Sequence, residues 1–284
     1  MAEEDNALGR FLRARREQVT PGAAGLPEDG RRRRVPGLRR EELAMLAGVS
    51  PAYYVRLEQG HSRHPSKQVV DALARALQLD ADATRHLHAL AELKDGGPAE
   101  GRRAGSSRPE RVRPELARML DHQLGAPAFV LGRVFDVLAA NSSARALHPS
   151  FTPGHNIVYD VFLDDDAMAA YPDLDHVQRN AVGSLRAAAG ELPDDPRLTE
   201  LVGELSLRSQ SFRVLWSRHE VRTKIAGTKR FHHPMVGELK LDYDSFTVSG
   251  ADRQQLIVYH AEPSSRAAES LRLLDAWAPV GSQR

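Results

Sequence analysis

Between Asp95 and Arg113 the chain reads DGGPAEGRRAGSSRPERVR, and this run constrains everything on either side of it. It holds four glycines, two prolines and two adjacent serines, with Val112 as its only large apolar residue. Such a composition cannot bury a core. We read 96–113 as a flexible linker between two separately folded parts, 1–95 and 114–284. A chain of 284 residues has room for two domains of ordinary size. No internal repeat with the period of a solenoid is present.

The net charge of +1 hides an asymmetry between the two parts. Residues 8–68 carry thirteen Lys and Arg against six Asp and Glu, whereas 114–284 carry eighteen against twenty-two. A basic module that meets a polyanion, followed by an acidic module with another task, is the expectation. The chain has no cysteine, which excludes disulfides, Cys-ligated zinc, iron–sulfur clusters and thiol catalysis. No apolar run approaches membrane-spanning length, and the acidic start MAEEDNALGR lacks the apolar stretch of a signal peptide. A cytoplasmic protein without a membrane span is expected.

Upstream of the linker the apolar spacing is helical throughout. Five short helices are predicted: Ala7–Val19, Leu38–Ala47, Pro51–Gln59, Ser66–Leu79 and Ala81–Leu93. Leu8, Phe11, Leu12, Val19, Leu43, Leu46, Tyr54, Leu57, Val69, Val70, Leu73, Leu77, Leu87 and Leu90 are the expected inward positions. Between the second and third helices lies Ala47-Gly48-Val49-Ser50, followed by Pro51. The glycine suits a left-handed helix end, the serine an N-cap, and the proline a first helical position. Two short helices joined this way have the spacing of a helix-turn-helix. An all-helical interaction module is the alternative, and the basic excess on the same segment weighs against it.

If the third helix enters the major groove, Ala52, Tyr53 and Arg56 face base edges, with Arg56 suited to a bidentate contact with guanine. Ser50 and Arg40, at helix N-terminal ends, are placed to hold phosphates. Arg31, Arg32, Arg33 and Arg34 form a run that either tracks phosphates and a narrow minor groove or is a solvated charge cluster. The expected partner is double-stranded DNA.

After the linker a helix is predicted at Pro114–Leu124, then a hairpin from Ala128–Leu131 and Phe135–Ala140 around Gly132-Arg133. Asn141 caps a short helix to Leu147. Residues 156–219 read as mostly helical, with Val158, Phe162, Val177, Leu185, Leu201, Leu205 and Leu215 inward. Strands follow at Val236–Val248 and Gln255–His260, and a last helix at Ser264–Trp277. Strands at both ends with helices between them describe an α+β domain with a mostly antiparallel sheet.

Leu43-Ala44, Gly48-Val49-Ser50, Tyr54 and Leu57-Glu58-Gln59-Gly60 resemble the phage-repressor-like (XRE) helix-turn-helix family over about 8–93. That family keeps an acidic residue where Glu58 stands, which implies a bond inside the domain rather than to DNA. Adding RRRRVPGLRREE at 31–42, LGRVFDVLAAN at 131–141, DDPRLTELVGELSLRSQSFRVLWSRHEV at 194–221 and GTKRFHHPMVGELKLDY at 227–243, nearly all of 8–276 is similar to the MmyB-like family of actinobacterial regulators. The resemblance implies an all-α helix-turn-helix domain followed by an α+β, PAS-like domain. It also implies a fatty-acid-like or other apolar ligand in that second domain, and a homodimer.

Residues alone are less decisive about a ligand site. Trp216 and His219, within Leu215–Val221, can form an apolar slot with a polar end, or can be core and a helix C-cap. Phe135, Tyr159, Phe162 and Phe231 can line a cavity or fill a core. No cofactor is expected, and no metal. His86 and His88 point to different helix faces, Asp164–Asp166 lacks calcium-loop spacing, and Gly227-Thr228-Lys229 lacks the rest of a P-loop. No H-E-x-x-H or G-x-S-x-G motif occurs, so an enzyme is not expected. A second domain that only dimerises or binds a protein partner is the competing reading, and a cavity in its core would discriminate the two.

Overall fold

The computed structural model describes residues 7–27, 37–61, 65–92, 110–222, 226–251 and 253–277. The chain divides into two compact units. The first is the described part of 1–103 together with 189–193 and 214–222, and the second is the described remainder.

The first unit contains α1 (Ala7–Gln18), α2 (Arg40–Ala47), α3 (Pro51–Glu58), α4 (Lys67–Ala76) and α5 (Ala81–Glu92). Phe11, Leu12, Leu38, Leu43, Tyr54, Leu57, Leu73, Leu77 and Leu87 are buried together, as a 3.6-residue period requires. Gly48 takes φ +66° as the left-handed cap of α2, and the N–H groups of Gly48 and Val49 donate to the carbonyls of Met45 and Ala44. Ser50 then caps α3, its hydroxyl accepting from Tyr53 N at 3.1 Å. Leu46 corrects the expectation: it is 36 % exposed, because α2 turns Leu43, Ala44 and Ala47 inward instead.

The second unit holds α6 (Pro114–His122), β1 (Ala128–Leu131), β2 (Val137–Ala140), α7 (Ser142–Leu147), α8 (Ile157–Leu163), α9 (Asp165–Ala169), α10 (Leu174–Glu191), α11 (Pro196–Arg208) and α12 (Gln210–Ser217). β3 (Ala226–His233), β4 (Gly237–Thr247), β5 (Gln255–His260) and α13 (Arg266–Trp277) complete it. The last residues of α10 and of α12 count with the first unit. The five strands form one antiparallel sheet in the order β2-β1-β5-β4-β3. This is the α+β architecture expected. On one face of the sheet, Leu116 and Leu120 of α6 cover Ala128, Val130 and Val248. The other face carries an aromatic cluster in which Phe129 stacks on Phe151 at 4.4 Å and Phe151 on Tyr259 at 5.6 Å. β1 is buried on both faces, which is why it reads as a continuous apolar run.

The expected linker ends earlier than 113. Val112 packs against the α6 cluster, the Arg111 carbonyl accepts from Gln254, and the Glu110 carboxylate accepts from Arg133. Residues 110–113 thus pack with the second unit, and the rest of the linker lies outside the described residues. β3 is a strand that periodicity did not predict, and Leu215 is half-buried rather than core. Asp164 N-caps α9 through Ala167 N.

Candidate DNA-reading face and ligand pocket

α3 has a locked inner face and an open outer one. Tyr54 and Leu57 are fully buried, while Ala52 and Arg56 are exposed and Tyr53 half-exposed, as one side of a short helix demands. Glu58 holds the inner face in place. Its carboxylate accepts from Arg16 Nε at 3.3 Å and Nη2 at 3.1 Å, and from Arg40 Nε at 3.2 Å and Nη2 at 3.0 Å. Arg16 Nη1 also donates to the Leu38 carbonyl at 2.8 Å. The Glu58 and Arg16 side chains are 2 % and 5 % exposed, that of Arg40 46 %. Burial alone would raise the Glu58 pKa, but hydrogen bonds from Arg40 and Arg16 outweigh it and hold the carboxyl below its ordinary value. The acidic residue therefore acts inside the domain, tying α3 to α1 and α2.

Gly37 completes this clamp. A Cβ there would lie 2.5 Å from the backbone carbonyl oxygens of Arg16 and Glu17, so a side chain cannot be accommodated without moving α1. Leu38 N donates to the Arg16 carbonyl from the same strap. Ser50 sits at the N-terminus of α3 and Arg40 begins α2 with part of its guanidinium exposed. Arg31, Arg32, Arg33 and Arg34 lie outside the described residues.

The second unit contains a cavity of about 110 Å³ between the sheet and helices α8 and α10. Phe129, Leu131, Ile257 and Tyr259 form its floor with Tyr243, while Ile157, Val158 and Val161 of α8 and Val177, Asn180, Ala181 and Ser184 of α10 form walls. The α10 residues recur every three to four positions, so one helix face lines the space. Phe135 enters from the hairpin. Its φ of +67° is an outlier for an aromatic residue, held by Gly132 N to Asp136 O at 2.8 Å and Ile157 N to Phe135 O at 3.2 Å. Asn156 braces the same turn by donating to the Val134 carbonyl and the Asp136 carboxylate while capping α8. Arg133 ties the hairpin to Asp195, the N-cap of α11, and to Glu110.

Of the six residues expected to line a ligand site, Phe135 is on the cavity wall and the other five are not. Phe231 is buried in the aromatic cluster, 5.4 Å from Tyr259. Phe162 packs edge-on to Phe212 in the core at 5.3 Å. Tyr159 points outward, its hydroxyl donating to Glu204. Trp216 and His219 belong to the first unit, where the His219 ring lies edge-on to Phe11 at 6.4 Å. Sequence reasoning missed Phe129, Tyr171, Lys229, Tyr243 and Tyr259, which reach one space from separate segments. The signal available for Lys229 was its place in an alternating run between Gly227 and Phe231.

Among the described residues, no group of three or more His, Asp and Glu is arranged to hold a metal ion, and no helix is long and apolar enough to cross a membrane. Comparison with protein families matches residues 7–87 to a helix-turn-helix domain and 112–274 to the MmyB-like transcription regulator ligand binding domain. Both are domains of regulators, not enzyme families. No curated protein gives a significant match. With more than half its length in the second match and a helix-turn-helix before it, the chain belongs to the MmyB-like transcription regulators and is a DNA-binding regulator of transcription.

Proposed function

We propose that this protein is a cytoplasmic, ligand-responsive regulator, without catalytic activity, that binds a specific double-stranded DNA operator as a homodimer. α3 enters the major groove with Ala52, Tyr53 and Arg56 toward base edges. Ser50, the exposed part of Arg40 and the Arg31–Arg34 run meet phosphates, the run also reaching a narrow minor groove. The PAS-like second domain takes an apolar or fatty-acid-like molecule in the cavity. The observation that carries this reading is that cavity: an aromatic-lined space inside a sheet-and-helix domain, where a purely dimerising domain would close its core.

Two measurements on the full chain test it. Denaturing mass spectrometry of the purified protein reads released small molecules, and selection from random DNA reads the operator. A stoichiometric apolar ligand is expected. So is an enriched pseudo-palindrome whose half-sites are about 34–36 Å apart, or a multiple of that. Operator affinity should differ between the loaded and stripped protein. An empty spectrum together with unchanged affinity on adding apolar acids would support a domain that only dimerises or binds a protein. Failure to enrich any sequence would overturn the DNA reading.

A further inference from the structure

The tip of the β1–β2 hairpin closes in a defined way. Phe135 N donates to the Gly132 carbonyl at 3.1 Å and Gly132 N to the Asp136 carbonyl at 2.8 Å, which is a tight turn followed by one left-handed residue. The left-handed position falls on Phe135, at φ +67°. Loops of this kind favour glycine there, because a Cβ at positive φ crowds the following carbonyl. A bulky aromatic side chain is among the least favourable choices, and glycine or asparagine would form the same turn with less strain.

The surrounding backbone holds the strain in place. The Phe135 carbonyl accepts from Ile157 N at 3.2 Å, and Val137 N donates to the His155 carbonyl at 2.8 Å. Asn156 Nδ2 donates to the Val134 carbonyl at 2.8 Å and to the Asp136 carboxylate at 2.9 Å. The chain on both sides of Phe135 is thus zipped to the segment that opens α8, and the side-chain torsions are the freedom left to this residue.

The ring is also held differently from its aromatic neighbours. Phe129, Phe151 and Tyr259 are buried, with Phe129 stacked on Phe151 at 4.4 Å and Phe151 on Tyr259 at 5.6 Å. Among the described residues Phe135 takes part in no such ring contact and is only partly buried, yet it lines the cavity. Ile157, whose N–H bonds its carbonyl, is partly buried and lines the cavity too. A partly exposed ring on a cavity wall marks where the enclosed space meets the surface. That space, about 110 Å³, is of the order of the engineered cavities of about 150 Å³ that take up benzene.

We infer that Phe135 is the residue that limits the size of the occupant: its ring closes one end of the cavity, and the strained turn is kept because it aims the ring there. This rests on the reading above that the cavity is a ligand site. Strain that a glycine would remove points to a task for the side chain, and closing the cavity is the task its position offers.

The test uses the full-length protein, stripped of any bound molecule, and titrates it calorimetrically with uncharged probes, the alkylbenzenes from toluene to n-butylbenzene. Wild-type affinity should level off or fall before n-butylbenzene. In Phe135→Gly it should keep rising, by up to about fourfold per added methylene, so that n-butylbenzene binds the variant at least about tenfold tighter than wild type. Phe135→Asn, which also tolerates positive φ, should behave alike and keeps the test decisive should the glycine variant misfold. Because both variants relieve the backbone as they remove the ring, each should lower the melting temperature by less than half as much as Phe151→Ala. The same affinity profile in wild type and in the variants would overturn the inference while leaving the cavity a ligand site. A loss of melting temperature as large as that of Phe151→Ala would make Phe135 ordinary core packing and overturn it as well. If wild type binds no member of the series, the ligand-site reading fails and the inference falls with it.

Discussion

Glu58→Gln probes whether the acidic residue that ends α3 is an internal anchor. The Glu58 and Arg16 side chains are almost fully enclosed, so their pair counts as buried, while Arg40 remains half-exposed. Removing one partner of a buried pair costs roughly 3–5 kcal/mol, because the other charge is left uncompensated. Glutamine keeps the shape and can still accept from one guanidinium, which places the expected loss near the lower end, about 3 kcal/mol. For a unit of this size, about 4–8 °C per kcal/mol gives a fall of about 12–24 °C in the melting of the helical unit. Arg40→Gln, on the solvent side, should cost about 1 kcal/mol or less. Differential scanning calorimetry of the full chain reads both. The pH dependence has a definite sign. The folded pKa of Glu58 lies below its unfolded value, so its contribution is fully present above about 4.3 and is lost as pH falls through the folded pKa. The gap between wild type and Glu58→Gln should therefore be widest at neutral pH and close on acidification. A variant that melts within about 2 °C of wild type at pH 7 would refute the anchor argument. If operator affinity fell instead, Glu58 would have to face the DNA.

Four further outcomes are expected. Gly37→Ala drives a Cβ into the α1 backbone at 2.5 Å and should destabilise the helical unit by about 1–3 kcal/mol, read in the same scan; a neutral result would mean that α1 shifts freely. Arg56→Ala should cost about 1–3 kcal/mol at one operator position and relax specificity there, whereas a uniform loss across sequences in a binding titration would make Arg56 a phosphate contact. Phe151→Ala removes a ring stacked between Phe129 and Tyr259 and should destabilise the second unit by about 3–5 kcal/mol by calorimetry, a loss below about 1 kcal/mol contradicting the packing described. The isolated segment 1–95 should bind operator DNA more weakly than the full chain and ignore apolar acids; equal affinity would remove the second domain from operator binding.

The helix-turn-helix was legible because its signals are local. Gly48, Ser50 and Pro51 each impose a backbone state on their own position, and Tyr54 and Leu57 share one helix face. Leu46 misled because a two-turn helix offers more apolar residues than its buried face can hold. β3 escaped because Phe231 is the only buried residue along it and its alternate neighbours Gly227, Lys229 and His233 are not large apolar residues, so alternation barely shows. The cavity was out of reach for a different reason. Phe135, Ile157, Tyr171, Ala181 and Tyr259 meet through the fold of the whole sheet, and no spacing along the chain encodes that meeting. Trp216 and His219 drew attention by composition, yet they pack with the N-terminal unit. Aromatic and charged residues adjacent in sequence need not share a site.

The clamp around α3 also restricts how regulation can work. A ligand alters DNA affinity only by as much as it binds the DNA-competent arrangement and its competitor unequally. The recognition helix is a poor place for that difference to appear. Its inner face is fixed by Tyr54 and Leu57 in the core, by Glu58 between two arginines, and by a strap at Gly37-Leu38 that tolerates no side chain at the glycine. Reshaping α3 would break a buried ion pair, a change of several kcal/mol, whereas a typical allosteric coupling is about 1–3 kcal/mol. The Phe135 turn differs in kind: it forms part of the cavity wall and holds a positive φ through the hydrogen bonds of Gly132 N and Ile157 N. If the proposed ligand response holds, the regulatory change is therefore expected outside α3, whose inner face stays fixed.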